Sequence, residues 1–281
     1  MATIPASLQP IFTAPLFPKL EGKLIELLRS LSPQDWEKQT VAPRWKVKDV
    51  AAHLLGTQVR KLSASRQHFN AGTSKPLSPG ELVTFINSLN AEGVRRYSQL
   101  SPEELISQME SASKESAEYH QSLDPFAPAM FPVSWAGEEE SANWFDTARE
   151  FTERWHHQQQ IRMAVNRPGI MTREFYHPVL DCFLRALPYT YRSVPAPDGS
   201  LLQFHVSGEC GGSWYLSRNG GAWRLIGSPA GELISETSIP QEIAWRIFTK
   251  GITRREAEAQ VQVTRNAELG LHILNMVSIV G

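Results

Sequence analysis

Glu153 and His157 carry side chains that bind metal ions, and they lie four positions apart. On a helix, this spacing places both side chains on adjacent turns of one face. A carboxylate oxygen and an imidazole nitrogen at that spacing can share one divalent ion. His53, in the segment DVAAHLL, is the candidate third ligand, and it lies on the flank of the apolar stripe that includes Val50. Three protein ligands would leave one coordination position for water or substrate.

The same pair has a simpler interpretation, because a Glu and a His four residues apart often form an ordinary contact on a solvated helix surface. An aromatic stripe that includes Phe151 and Trp155 lies on roughly the opposite side of this helix from Glu153 and His157. Either the face that carries the pair is exposed to water, or the helix is buried on two sides. His156 points about 100° away from His157 and is not expected to bind the same ion.

The first two-thirds of the chain has the apolar spacing of helices. Ser78-Pro79-Gly80-Glu81 and Ser101-Pro102-Glu103-Glu104 have the spacing of capping boxes, each with a proline at the first helical position. Four or five amphipathic helices in about 165 residues predict a bundle. The helical segments are expected at residues 16–31, from residue 45 to about 69, after each capping box, and at 141–165.

The last third alternates apolar and polar residues as β-strands do. Asn219-Gly220 supplies a hairpin turn within residues 211–227. Together these patterns predict a boundary near Pro168-Gly169, with a helical bundle over 1–168 and a small α+β domain over 169–281. The strands are expected at 201–208, on both sides of the hairpin turn, and at 232–239 and 260–264, with helices at 174–192, 240–250 and 266–279.

The segment LRSLSPQDWEKQTVAPRWKVKDVAAHLLG resembles the opening of the DinB-like, mycothiol-dependent maleylpyruvate isomerase N-terminal family. That family carries a first signature, Trp-x-Val-x-Asp-Val-x-x-His-Leu, and a second, Glu-x-x-x-His, on a late helix of the bundle. Glu153 and His157 match the second signature, and the resemblance covers about residues 15–168. The residues that match the first signature are Trp45, Val47, Asp49, Val50, His53 and Leu54.

The resemblance implies a mainly α protein, in which a DinB-like four-helix bundle is followed by a small α+β C-terminal domain. It also implies that His53, Glu153 and His157 hold Zn²⁺ or a similar divalent ion. Many relatives have an Asp three residues after the second histidine, where this chain has Gln160, an outer-shell partner of the site. An arginine of the family's second domain acts near the active site; the candidates here are Arg246 and Lys250, and a lysine is a poor substitute for bidentate carboxylate recognition.

Composition excludes several classes of protein. The 281 residues include 28 Lys and Arg against 29 Asp and Glu, without the basic surplus of a nucleic-acid-binding protein. Cys182 and Cys210 are too few and too far apart for a disulfide framework or a cysteine zinc knuckle. The first 20 residues lack a basic region and contain four prolines, and no run of 18 apolar residues occurs, so we expect a cytoplasmic protein without a signal peptide or a membrane span.

Three hypotheses for function follow. The first is a metal-dependent enzyme, an isomerase or thiol S-transferase, in which the open metal position binds a low-molecular-weight thiol that reacts with an electrophilic substrate. The second is a non-catalytic metal-binding module or ligand sensor, whose coordination positions are filled by protein. The third is a helical protein in which both signatures have lost their metal. All three are compatible with a monomer or a homodimer.

Overall fold

The computed structural model describes residues 8–66 and 79–279. They fold as two compact units, here called the helical unit and the sheet unit. The helical unit comprises Phe12–Pro132 and Glu140–Met171, and the sheet unit comprises the residues up to Ile11 together with Val133–Glu139 and Thr172–Ile279. The predicted mainly α fold, with a helical bundle followed by a small α+β region, is confirmed.

The helical unit is a bundle in which α1, α3, α5 and α6 pack on one another and α4 packs on α3. Its core consists of apolar side chains from all four bundle helices, among them Leu24, Leu54, Met109 and Ile161. The helices are α1 (Phe17–Arg29), α2 (Pro33–Trp36), α3 (Val47–Arg66), α4 (Pro79–Tyr97), α5 (Pro102–Ser122) and α6 (Asn143–Val165).

Local capping explains where two of these helices begin. At α5 the predicted capping box is present: the Ser101 hydroxyl accepts a hydrogen bond from the Glu104 amide at 3.2 Å, and the Ser101 amide donates to the Glu104 carboxylate at 2.8 Å. At α3 the carboxylate of Asp49 accepts from the Lys46 amide at 2.9 Å. Asp49 of the first family signature therefore fixes the start of the helix that carries His53. The capping box predicted at Ser78 lies outside the described residues.

A close approach of α3 and α4 depends on two glycines. A Cβ placed on Gly56 of α3 would lie only 3.3 Å from the Cα of Gly93 in α4. A side chain at this crossing would require the helices to shift by a few tenths of an ångström or more, because the contact is tighter than most that Cβ atoms make. The crossing holds α4 against the part of α3 that follows His53.

Six ionisable side chains form a buried ion network between the helices. Within it, Lys61 of α3 lies close to two carboxylates of α6. Its ammonium nitrogen lies 2.6 Å from Asp146 and 3.7 Å from Glu150 of α6. The Asp146 carboxylate also accepts from Arg149. Burying an ion is costly unless a partner of opposite charge offsets the loss of water, so these contacts are mutually dependent. The network consists of Glu21, Lys61, Asp146, Arg149, Glu150 and Arg154.

The sheet unit has a five-stranded sheet with the order β3-β2-β1-β4-β5. Strands β1 and β4 pair in parallel, and the other neighbours pair antiparallel. The predicted hairpin joins β2 to β3: Asn219 pairs with Ala222, and Gly220 and Gly221 form the two-residue loop with positive φ angles. The strands are β1 (Ser200–Ser207), β2 (Gly212–Asn219), β3 (Ala222–Ile226), β4 (Glu232–Pro240) and β5 (Gln262–Arg265).

The helices of the sheet unit are short, and two tyrosines connect them to other elements. The hydroxyl of Tyr176 donates to the Gln241 carbonyl at 2.8 Å, and that of Tyr191 donates to the Leu269 carbonyl at 2.7 Å. None of the described helices has both the length and the apolar composition that a membrane span requires. The helices are α7 (Arg173–Leu184), α8 (Leu187–Tyr191), α9 (Gln241–Phe248), α10 (Arg254–Glu258) and α11 (Ala267–Leu271).

Removing the buried cation should destabilise the helical unit. We expect Lys61→Met to lower the free energy of unfolding by about 3 kcal/mol, because it leaves buried carboxylates without one of their partners. The control is Lys46→Met, which removes an exposed lysine whose nitrogen lies 2.8 Å from Glu37 and should change stability little. Urea unfolding measures both variants, and equal effects of the two substitutions would contradict the role assigned to the network.

Acid should weaken the same network. Burial alone would raise the pKa of Asp146 and of Glu150, but attraction to Arg149 and Lys61 outweighs it and holds both pKa values below the ordinary range. The stability that they contribute is therefore complete above about pH 4.5 and is lost as the pH falls. The free energy of unfolding, measured in urea, should fall less between neutral and acidic pH in Glu150→Gln than in the wild type. An identical pH dependence would show that Glu150 does not contribute.

Candidate metal centre

Helices α3 and α6 run antiparallel and bring the two family signatures together. His53, near the start of α3, lies beside His157, near the end of α6, with ring centroids 4.5 Å apart. At the other end of the same pairing, Lys61 contacts Asp146. The signatures are about 100 residues apart in sequence, and it is the pairing of these two helices that makes them neighbours.

Glu153 and His157 converge as their spacing predicts. The Nε2 atom of His157 lies 3.4 Å from a carboxylate oxygen of Glu153. His157 is buried, whereas about a quarter of the Glu153 side chain is exposed (26%). The pair is thus accessible from the Glu153 side and enclosed on the histidine side.

Trp45 and His53 complete one wall of the site. The imidazole of His53 is only 4% exposed and meets the His157 ring edge-on, with an angle of 69° between the planes. The indole of Trp45 lies against His53 with its centroid 4.6 Å away, and it is 6.0 Å from the centroid of His157. Trp45 belongs to the first signature, and the structure gives it the role of shielding two imidazoles from water.

His156 lies closer to the cluster than its position on the helix suggests. Glu153, His156 and His157 each offer a ligand atom, and these atoms lie within 4.8 Å of one another. The rings of His156 and His157 have centroids 4.5 Å apart. The expected 100° between neighbouring residues describes their Cβ directions, and the side-chain rotamers bring the two rings back together. His53 is not in that tight set, although its ring is as close to His157 as that of His156.

Gln160 joins the two adjacent histidines through its amide. Its Oε1 lies 2.9 Å from Nδ1 of His157, and its Nε2 lies 2.9 Å from Nε2 of His156. An amide oxygen only accepts and an amide nitrogen only donates, so the arrangement places a proton on Nδ1 of His157 and a lone pair on Nε2 of His156. Nε2 of His157, the atom that faces Glu153, is then left unprotonated in the neutral ring. Gln160 thus makes the contacts expected of the predicted outer-shell partner.

Burial keeps two of the histidines neutral. The pKa of His53 lies well below its ordinary value, first because burial disfavours the charged ring and then because of repulsion from His157. The pKa of His156 is lowered for the same two reasons. A neutral imidazole can bind a metal ion without first losing a proton.

The distance between the two facing ligand atoms matches a tetrahedral metal site. Zinc lies about 2.1 Å from nitrogen and oxygen ligands, so two ligands at the tetrahedral angle are about 3.4 Å apart. Nε2 of His157 and the Glu153 oxygen are separated by that distance. An unprotonated nitrogen and a carboxylate oxygen both present lone pairs, and a cation between them would satisfy both. The residues present therefore fit a divalent ion.

Helix α6 is buried on two sides, which decides between the two interpretations that its pattern left open. The aromatic side of the helix includes Phe151 and Trp155, both fully buried. The opposite side, with Glu150 and His157, is also buried. The polar face of α6 is thus part of the protein interior rather than a wet surface.

The two cationic candidates of the second domain have structural hydrogen bonds within the sheet unit. Nε of Arg246 donates to the Gly251 carbonyl at 3.2 Å, at the end of α9. Nζ of Lys250 donates to the Leu274 carbonyl at 2.9 Å, and the Lys250 backbone has a φ of 59°. Burial, with repulsion from Arg254, lowers the pKa of Lys250. Their assignment as catalytic residues stays a prediction.

Comparison with known proteins confirms the resemblance to a family that the sequence suggests. The sequence model of the mycothiol maleylpyruvate isomerase N-terminal domain matches residues 17–162, slightly more than half of the chain. The chain is similar to the crystal structure of a histidine-to-alanine mutant of the mycothiol-dependent maleylpyruvate isomerase, with a TM-score of 0.53 and 12% identity over 89% of this chain and 91% of that one. The structure of the mycothiol-dependent maleylpyruvate isomerase itself aligns with a TM-score of 0.49 and the same identity and coverage. No curated protein matches the chain. At 12% identity the structural likeness shows a shared fold.

Removing the Gln160 amide should weaken metal binding without removing a ligand. We expect Gln160→Leu to lower the affinity for Zn²⁺ by about 10- to 100-fold, because His157 loses the partner that orients it. Gln159→Leu is the matched control, since this neighbouring buried glutamine has no hydrogen bond to His156 or His157 in the described structure. Competition with a chromophoric chelator measures both affinities. A loss of the same size in both variants would mean that Gln160 acts only through packing.

Proposed function

Because the chain belongs to the mycothiol maleylpyruvate isomerase N-terminal domain family, we propose that it is a metal-dependent enzyme that uses a low-molecular-weight thiol to act on an electrophilic small molecule. His53, Glu153 and His157 hold one divalent ion, Zn²⁺. The observation that carries the proposal is the 3.4 Å approach of His157 Nε2 to the Glu153 carboxylate, beside the buried ring of His53.

The three ligands have distinct duties in this proposal. Glu153 contributes the negative charge and lies on the accessible side of the site. His53 and His157 contribute imidazole nitrogens from the enclosed side. When bound, Zn²⁺ supplies a Lewis acid that lowers the pKa of a thiol in its open position, and so provides a thiolate near neutral pH.

The surrounding residues keep the ligands ready for this chemistry. Gln160 holds the proton of His157 on Nδ1, so Nε2 keeps its lone pair. Trp45 excludes water from the imidazole side, which strengthens electrostatic interactions inside the site. On α6, Arg154 donates to the Leu54 carbonyl and to the Thr57 hydroxyl, both at 3.3 Å, and so ties the segment after Glu153 to the turn of α3 that follows His53.

The description of a related structure supports a choice of substrates. The solved structures are of an enzyme described as mycothiol-dependent and as acting on maleylpyruvate. For this chain we propose mycothiol or a similar thiol, and an electrophile with an unsaturated carbon that a thiolate can attack. An isomerase releases the thiol unchanged, whereas an S-transferase leaves it bonded to the product, so the fate of the thiol distinguishes the two activities.

A non-catalytic metal module is the second candidate, and the position of His156 favours it. If His156 bound the ion together with His53, Glu153 and His157, all four tetrahedral positions would be filled by protein, as in structural zinc sites. The Gln160 amide argues against such a closed site, because it already donates a hydrogen bond to Nε2 of His156. The binding of an added thiol to the metal distinguishes an open site from a closed one.

Metal analysis tests the site directly. We expect about one Zn²⁺ per chain in the protein purified without a tag, and a loss of most of it in His157→Ala, because two protein ligands hold zinc much more weakly than three. His205→Ala is the control, since this exposed histidine lies on β1 of the sheet unit. Elemental analysis of the three proteins provides the stoichiometry.

The outcomes separate the hypotheses. Zinc lost only from His157→Ala, together with turnover of maleylpyruvate in the presence of mycothiol, would support the isomerase. Zinc without turnover or thiol binding would support the metal module. A wild-type protein that binds no divalent ion even after supplementation would refute both.

A further inference from the structure

Arg60 lies on the same face of α3 as His53, two turns further along the helix. Seven residues return the helix to within about 20° of its starting direction and advance it by about 10.5 Å. Helical side chains tilt towards the N-terminus, so the Arg60 side chain leaves α3 in the direction of His53 before its guanidinium reaches Asn90 of α4. The side chain of His53 is buried there and that of Arg60 is partly buried.

The guanidinium of Arg60 is held in place by a neutral partner. Its Nη2 donates to the side-chain oxygen of Asn90 in α4 at 3.1 Å. Gly56 and Gly93 permit the close crossing of α3 and α4 that brings Asn90 within reach. Within the described residues no carboxylate oxygen lies within 4 Å of the Arg60 nitrogens. The guanidinium is therefore anchored through Nη2. None of its N–H groups donates to a carboxylate of the described residues.

Arg60 differs from the neighbouring cations because it forms no ion pair within the described residues. Lys61, Arg149 and Arg154 share the carboxylates of the buried ion network, which are those of Asp146, Glu150 and Glu21. Burial of Arg60 and repulsion from Arg149 and Arg154 lower its pKa, although the carboxylates of Glu150 and of the exposed Glu92 attract it. A half-buried guanidinium in such surroundings is stabilised by an anion that arrives from outside.

We propose that Arg60 binds a carboxylate of the electrophile, or of a thiol that carries one, while that molecule reaches the ion held by His53, Glu153 and His157. The inference rests on the proposed function, because it takes the open metal position as the second anchor of the ligand. Arg60 would thus be a binding residue that selects ligands with a carboxylate at a fixed distance from the reacting sulfur or carbon.

The chemistry favours a carboxylate over a phosphate. A guanidinium presents parallel N–H groups that match the two oxygens of one carboxylate. Of the four cations Arg60, Lys61, Arg149 and Arg154, Arg60 is the one that forms no ion pair within the described residues, so its fork is open to a single planar anion.

A series of simple thiols tests the inference through binding rather than turnover. The protein is loaded with Co²⁺, whose absorption spectrum changes when a thiolate binds, and is titrated with ω-mercaptocarboxylates and with ω-mercaptoalkanols of equal chain length. We expect one chain length at which the carboxylate binds more tightly than the alcohol by about 10- to 100-fold, the range typical of a charge-assisted hydrogen bond. The affinity for the mercaptoalkanols measures binding of the thiolate at the open metal position alone.

Three variants assign the preference to Arg60. Arg60→Gln should abolish the preference for carboxylates and leave the affinity for the alcohols unchanged. Arg60→Lys should retain part of it, since it keeps the charge and loses the fork. Arg66→Gln is the matched control: this exposed arginine pairs with Glu115 on the opposite side of α3 and should behave as the wild type. Circular dichroism and the Co²⁺ content of each variant establish that the fold is intact.

The outcomes distinguish failure of this inference from failure of the proposed function. If alcohols bind the metal but the wild type and Arg60→Gln show the same affinity for carboxylates, Arg60 does not recognise the ligand and the inference is wrong. If neither kind of thiol changes the Co²⁺ spectrum, the open metal position is wrong, and the inference falls with it. In turnover, maleylpyruvate carries carboxylates and mycothiol carries none, so Arg60→Lys should raise the Michaelis constant for maleylpyruvate and leave that for mycothiol unchanged.

Discussion

The ionic contacts between α3 and α6 are the constraint on which the rest of the site depends. Lys61 of α3 can be buried only where Asp146 and Glu150 of α6 offset its charge, and these carboxylates require cations in turn. Apolar contacts alone would tolerate sliding of one helix along the other, whereas a buried ion that loses its partner is penalised heavily. The network therefore specifies the register of the two helices, and that register places His53 beside His157.

Much of this arrangement was predictable from local spacing. Side chains four residues apart are neighbours on any helix, and the structure shows the resulting 3.4 Å contact between Glu153 and His157. The helices and the hairpin followed from capping boxes, apolar periodicity and the glycines at 220 and 221. That His53 approaches His157 followed from the resemblance to a family, since no periodicity relates two segments so far apart in sequence.

The parts that were not predictable depend on tertiary context. Helix α6 is buried almost all round, and its charged residues could have been taken for a solvated face because their partners come from α1 and α3. His156 was expected to point away, but Gln160 lies three residues beyond one histidine and four beyond the other, and it reaches both. That spacing is visible in the sequence, and it is the signal that could have identified Gln160 as a link between the two rings. The short helices α2 and α10 have too few residues for a periodic pattern to predict them.

An amide at position 160 also changes the charge of the proposed site. A carboxylate at this position, as in many relatives, would accept from His157 and add a negative charge beside the ion, which raises the basicity of the ligand. Gln160 accepts from the same atom without adding charge, and it donates to His156, which a carboxylate cannot do. With Glu153 as the one anionic ligand, the ion and its three ligands keep a net positive charge. Binding of a thiolate neutralises that charge, whereas a second carboxylate would oppose it. A glutamine at position 160 therefore favours an anionic ligand in the open position. It orients His157 less strongly than a carboxylate would.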